Sequence, residues 1–161
     1  MASDPLLATY HDREWGEPIR SDRGLFERMT LEVFQCGLSW KIVLVKRAAL
    51  RRSFEGFRID RVAAFSRRDV ARLCRDAAII RNRRKIEATV HNARRCRDII
   101  LSQGSLRRWI SELPTETPVD LAATHALFRK TFRFMGPETT KCFLMGIGRI
   151  PPDHDPGCWR A

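Results

Sequence analysis

Residues 32–40 read EVFQCGLSW, a carboxylate and an indole separated by a short turn between two runs of helical pattern. Upstream, Leu25, Phe26, Met29, Val33 and Phe34 recur at three- and four-residue spacing, which marks one apolar stripe along one helix face. Ser21 caps that helix, Asp22 suits its positive end, and Gly37 ends it. Ser39 caps the next helix, WKIVLVKRAALRRSF. If the two helices pack together, Glu32 closes a lined pocket from one side and Trp40 from the other. If the turn is a surface loop, both side chains lie in water. The stripe alone places Glu32 at its edge, beside Val33.

The remaining punctuation is also helical. Asp60 and Ser66 open two short helices, the second through a Ser66–Asp69 capping box, and Asn82 caps a long helix running from about Arg83 to Gly104. Ile86, Val90, Ala93, Arg97 and Ile100 are its expected inward positions. Trp109 and Ile110 make a short turn, Thr117-Pro118 and Gly136-Pro137 start two further helices, and Pro151 with Pro152 forbids more. The segment YHDREWG at 10–16 has no periodic pattern and reads as a polar loop. No alternating strand pattern occurs. The expected fold is all-α, seven or eight short helices in one compact domain over 1–161 with an irregular tail from about 149.

A chain of 161 residues suffices for one real hydrophobic core. No apolar run nears the roughly 20 residues that span a bilayer, and the start MASDPLLATYHD lacks the layout of a secretory signal. A cytoplasmic protein with no membrane partner is expected. Cysteines 36, 74, 96, 142 and 158 are odd in number and form no CxxC pair, so buried reduced thiols are expected rather than a disulfide framework. The net charge of +11 is unevenly placed: residues 47–97 hold 16 Arg or Lys against 5 Asp or Glu, which accounts for all of it. A field so concentrated attracts a polyanion and favours nucleic acid as partner.

Four groups of residues carry candidate chemistry. Glu32, buried beside aromatics, would act as acid, base or electrostatic clamp. Tyr10, the only tyrosine, and Trp40 offer faces on which a planar base stacks. His154 and Cys158 have zinc half-site spacing, with His11 a remote third ligand. The turn from Ile79 to Lys85 joins two helical patterns and carries Arg81, Arg83, Arg84 and Lys85, a phosphate site if its backbone donors are free.

Five motifs, YHDREWGEP, LFERMTLEVFQCGLSW, DAAIIRNRRKIEATVHNAR, FRFMGPETT and DHDPGC, resemble the 3-methyladenine DNA glycosylase I family in order and spacing across residues 4–158. The resemblance implies a helix-hairpin-helix glycosylase fold that flips N3-methyladenine out of double-stranded DNA and cuts its bond to deoxyribose. It places the family's pocket carboxylate on Glu32, its pocket tyrosine on Tyr10, its stacking tryptophan on Trp40 and its DNA-gripping hairpin on Ala77 to Lys85. Three of the family's four structural zinc ligands fall on His11, His154 and Cys158; the fourth, a cysteine, belongs upstream of Asp4. Leu7 stands where well-known members place a second pocket tyrosine, and Ala78 replaces a hairpin glycine. No lysine falls where strand cleavage through a Schiff base would need it. The implied activity is therefore that of a monofunctional, monomeric enzyme leaving an abasic site. The Leu7 and Ala78 departures keep two alternatives open, a glycosylase for another damaged purine and a DNA-binding homologue that no longer excises.

Overall fold

A computed structural model of the chain describes residues 4–154 and Cys158. Among the described residues there are nine α-helices, one 3₁₀ turn and no strand. The helices are α1 (Pro5–Arg13), α2 (Asp22–Gln35), α3 (Trp40–Ser53), α4 (Ile59–Ala63), α5 (Arg67–Arg75), α6 (Arg83–Gln103), α7 (Leu106–Ser111), α8 (Pro118–Thr131) and α9 (Pro137–Gly146), with the 3₁₀ turn at Glu55–Phe57 between α3 and α4. No helix is long and apolar enough to cross a membrane.

Most ends form where the sequence places them. The hydroxyl of Ser21 accepts from Gly24 N, that of Ser39 from Ile42 N, and the Asn82 side chain from Lys85 N. Ser66 and Asp69 make the expected capping box, and Thr117 with Asp120 makes another in front of Pro118. Gly37, at φ 77°, takes the left-handed turn that parts α2 from α3.

Two local readings are corrected. The segment expected as a polar loop begins inside α1: Tyr10 to Arg13 form its last turn, started by Asp4, whose carboxylate accepts from Leu6 N and Leu7 N ahead of Pro5. Its polar surface hid the helix, although Asp-Pro is the same start signal as Thr117-Pro118. On α6, Arg97 is exposed and Cys96 takes the inward position.

The core forms around α2, which packs against α3, α6, α7 and α9. Phe26, Phe34, Phe54 and Phe57 lock it to the α3–α4 corner through ring contacts near 6 Å, while Phe128 and Phe143 join α8 to α9. Surrounded in this way, α2 buries Arg28, Thr30 and Glu32 along with its apolar stripe. Glu32 is thus an interior residue rather than an edge residue.

Candidate active site

Glu32 is 1% exposed, and neither carboxylate oxygen has a hydrogen-bond partner. Burial pushes its pKa from 4.5 to about 8, against the pull of Arg28, which lies one turn earlier on the same face of α2. A buried carboxylate costs several kcal/mol when ionised, and the pull of Arg28 does not offset that cost, so the group holds its proton more tightly than an exposed carboxyl.

Helix α1 lays Tyr10 over this helix. Arg28 donates from Nη1 to the Tyr10 hydroxyl, and its Cζ stands 4.9 Å from the centre of the Tyr10 ring. Burial raises the Tyr10 pKa, so the phenol stays protonated. Trp40, the first residue of α3, stacks on Tyr10 with ring centroids 5.2 Å apart and planes 25° from parallel. A purine inserted between two rings needs them roughly 7 Å apart, given a van der Waals spacing of about 3.5 Å on each face. Tyr10 and Trp40 therefore form one stacked pair, a wall backed by its own second ring rather than two jaws. Leu7, half-buried one turn before Tyr10 on α1, extends the apolar lining on that side.

The opposite boundary is backbone. At Gly146, a Cβ would stand 3.0 Å from Arg28 Nη1, 3.6 Å from Glu32 Oε1 and 3.6 Å from Trp15 Cδ1, so the missing side chain leaves the gap these three groups share. Gly16 N donates to Gly146 O at 2.9 Å, and a Cβ on Gly148 would meet Gly16 O at 2.5 Å. This close backbone approach joins the end of α9 to the turn after α1. Arg28 and Gly146 escaped the sequence reading. The four-residue spacing of Arg28 and Glu32 was the available signal, because it puts both on one helix face.

Trp15 also carries the metal candidate. His11, His154 and Cys158 gather with ligand atoms all within 4.8 Å of one another. Cys158 Sγ lies 3.5 Å from His11 Nε2 and 3.4 Å from His154 Nδ1. Tetrahedral zinc, with Zn–S near 2.3 Å and Zn–N near 2.0–2.1 Å, sets S···N edges of about 3.5 Å, so the donor set fits. Trp15 stacks on His11 at 5.8 Å and meets His154 edge-on at 5.3 Å.

The turn between α5 and α6 leaves Arg81, Arg83 and Arg84 exposed. Asp76 holds it, accepting from Ala78 N at 2.9 Å and from Ser53 Oγ at 2.7 Å, and Ile79 plugs it into the core. Lys46 donates to Ala77 O and Ala78 O. Lys85 departs from the phosphate-binding expectation. It is 5% exposed, and its ammonium donates to Phe34 O at 2.7 Å and Cys36 O at 2.5 Å. It satisfies carbonyls that the end of α2 leaves open, and burial lowers its pKa.

All of residues 1–161 match the family model described as methyladenine glycosylase. The chain belongs to the methyladenine glycosylase family. It is 38% identical over 174 aligned positions to DNA-3-methyladenine glycosylase 1 of Escherichia coli K12, with 98% of this chain and 92% of the relative covered. To the DNA-3-methyladenine glycosylase of Haemophilus influenzae Rd it is 33% identical, covering 98% and 94%. A crystal structure of a 3-methyladenine DNA glycosylase I superposes with a TM-score of 0.87 at 35% identity, over 98% of this chain and 95% of that one. Within this methyladenine glycosylase, Tyr10 stacks on Trp40, Arg28 reaches from Tyr10 to the gap at Gly146 that Glu32 shares, and His11, His154 and Cys158 converge.

Two measurements probe this geometry. Because the folded pKa of Glu32 exceeds its unfolded value, the folded state keeps a proton that the unfolded chain loses above pH 4.5. Stability attributable to this group is full below that pH, falls by about 1.4 kcal/mol per pH unit as pH rises, and levels off above about 8. Glu32→Gln should fold, be more stable than the parent near neutral pH, and lose this slope in denaturant titrations across that window. In salt titrations of duplex DNA binding, Arg83→Ala and Arg84→Ala should each lower the log–log slope by about 0.9, whereas Lys85→Met should leave the slope unchanged and lower the melting temperature.

Proposed function

We propose that the pocket bounded by Glu32, the Tyr10–Trp40 wall, Leu7 and Gly146 receives an N3-methyladenine flipped out of double-stranded DNA. The chain is a monofunctional DNA-3-methyladenine glycosylase, a hydrolase of the N-glycosyl bond acting in base excision repair. The observation that carries the residue assignment is the buried, partnerless carboxylate of Glu32 beside stacked aromatic rings. A relative of 27% identity and TM-score 0.81 has been solved in complex with 3-methyladenine.

N3 methylation gives the nucleotide a positive charge, so the base is already a good leaving group and requires no protonation. As the bond between N9 and C1′ breaks, its electron pair returns to the base, which departs neutral while positive charge grows on the sugar. A water oxygen then bonds to C1′ and gives up a proton, leaving an abasic site. Glu32 enters as the counter-charge. The arriving cation lowers the Glu32 pKa so that its proton passes to solvent water, and the resulting carboxylate favours the charged base over neutral adenine, then steadies the charge appearing on the sugar. Trp40 and Tyr10 supply ring surface, and the Tyr10 hydroxyl orients the base. Flipping costs a few kcal/mol, offset by phosphate contacts from Arg81, Arg83, Arg84 and the basic surface of 47–97. Lys85, the one lysine buried among the described residues, is fixed on two backbone carbonyls, in keeping with hydrolysis without a Schiff base.

The metal cluster has a structural place. Zinc held by His11, His154 and Cys158 would tie the tail to α1, one residue from Tyr10, and keep Trp15 against the pocket. His11 and Cys158 do their own share by bridging the two ends of the chain.

Methylated duplex DNA incubated with the protein should release free N3-methyladenine, and Glu32→Gln should lower that release at least about a hundredfold while DNA affinity stays within a few-fold. Full excision by the variant removes Glu32 from the role given to it. Elemental analysis should find at most one zinc per chain, and Cys158→Ala should lower both that content and the melting temperature; an unchanged metal content would place the ion elsewhere.

A further inference from the structure

A pocket that selects a positively charged base gains nothing from a second cation, yet Arg28 lies against it. It is 3% exposed, donates to the Tyr10 hydroxyl, and reaches the same gap at Gly146 as Glu32 Oε1. A cleft of about 320 Å³ opens behind it, where Glu14 and Glu27 are engaged by other arginines. Glu14 accepts from Arg47 at 2.7 Å, and Glu27 accepts from Arg47 at 2.7 Å and from Arg51 at 2.8 Å. Within the pocket, Arg28 pulls on the Glu32 carboxylate through space, and the two are not hydrogen-bonded.

Two consequences follow from elementary electrostatics. With Glu32 ionised the pair sums to zero, so a cationic base meets a much weaker net attraction than a lone carboxylate would give. In addition, the Tyr10 oxygen accepts from Arg28, which frees the phenolic proton to donate to a base and makes it a stronger donor. We propose that Arg28 is a specificity-determining residue of the base pocket: it weakens discrimination by charge and shifts selection onto hydrogen-bonding pattern, an acceptor facing Tyr10 and a donor facing Glu32. The site would then admit uncharged damaged purines of that pattern beside N3-methyladenine. This rests on the reading of the pocket as a purine site.

The test uses two small ligands of one shape on the full-length protein: 3-methyladenine, uncharged at mildly alkaline pH, and its N9-methylated derivative, a fixed cation. Their affinities are measured by tryptophan fluorescence and calorimetry at a single pH. Arg28→Met should raise the cation-to-neutral affinity ratio at least about tenfold, and Arg28→Lys should keep the parent ratio within about twofold. Arg28→Gln, which retains a donor for Tyr10 and removes only the charge, should show the same rise and serves if the Met variant does not fold. Equal losses for both ligands in the Met and Gln variants, with the ratio unchanged, would reduce Arg28 to a prop for Tyr10 and overturn the proposal. Failure of the parent protein to bind either ligand would instead overturn the purine-site reading beneath it.

Discussion

An ionisable carboxylate held in the interior with nothing bonded to it is the constraint around which this protein is arranged. Leaving such a group unsatisfied costs about 1–3 kcal/mol even when neutral, and more when charged. A domain whose total stability is on the order of 5–15 kcal/mol keeps a defect of that size only where the rest of the fold holds it in place. The support is the burial of α2 on nearly all sides: Phe26, Phe34, Phe54 and Phe57 pack the helix into the core with Glu32 among its buried residues. A cation or a donor that enters the pocket gives this carboxylate a partner, so the cost of burying it is offset by what binds there.

The other walls are held by different means. Trp40 and Tyr10 come from separate helices and support each other face to face, which leaves one side of the aromatic pair for a ligand. The third side is made by glycine backbones packed too closely for side chains, Gly16 against Gly146 and Gly148. Trp15 lies between that seam and the rings of His11 and His154, so the placement of those two histidines bears on the pocket through a single indole.

Helix starts and stops were legible in the sequence because they depend on local chemistry: Ser21, Ser39, Ser66, Asn82 and Thr117 all cap where their side chains suggest. The helix at Pro5–Arg13 was not legible, since its surface carries His, Asp and Arg and its inward face rests on Tyr10 alone among fully buried residues. Periodicity assigned Glu32 to the edge of a stripe because it registers apolar residues only; a helix surrounded by others buries polar positions as well. Residue chemistry singled out Glu32, Tyr10, Trp40, His11, His154 and Cys158, and the resemblance gave each its role. It could not supply Arg28 or Gly146, which matter through the particular side chains they meet in this chain.

The same distinction explains how positive charge is divided. Exposed arginines on and beside the α5–α6 turn contribute a field whose strength depends on their number and on salt, and one can substitute for another. Lys85 and Arg28 lie inside, where a cation cannot be exchanged without leaving its partner bare. One closes the carbonyl end of α2 and the other orients a phenol beside Glu32. Counting basic residues therefore overstates the DNA-facing charge and understates the work done within: among the described residues Arg28 and Lys85 are the buried cations, and both act at the helix that carries the carboxylate.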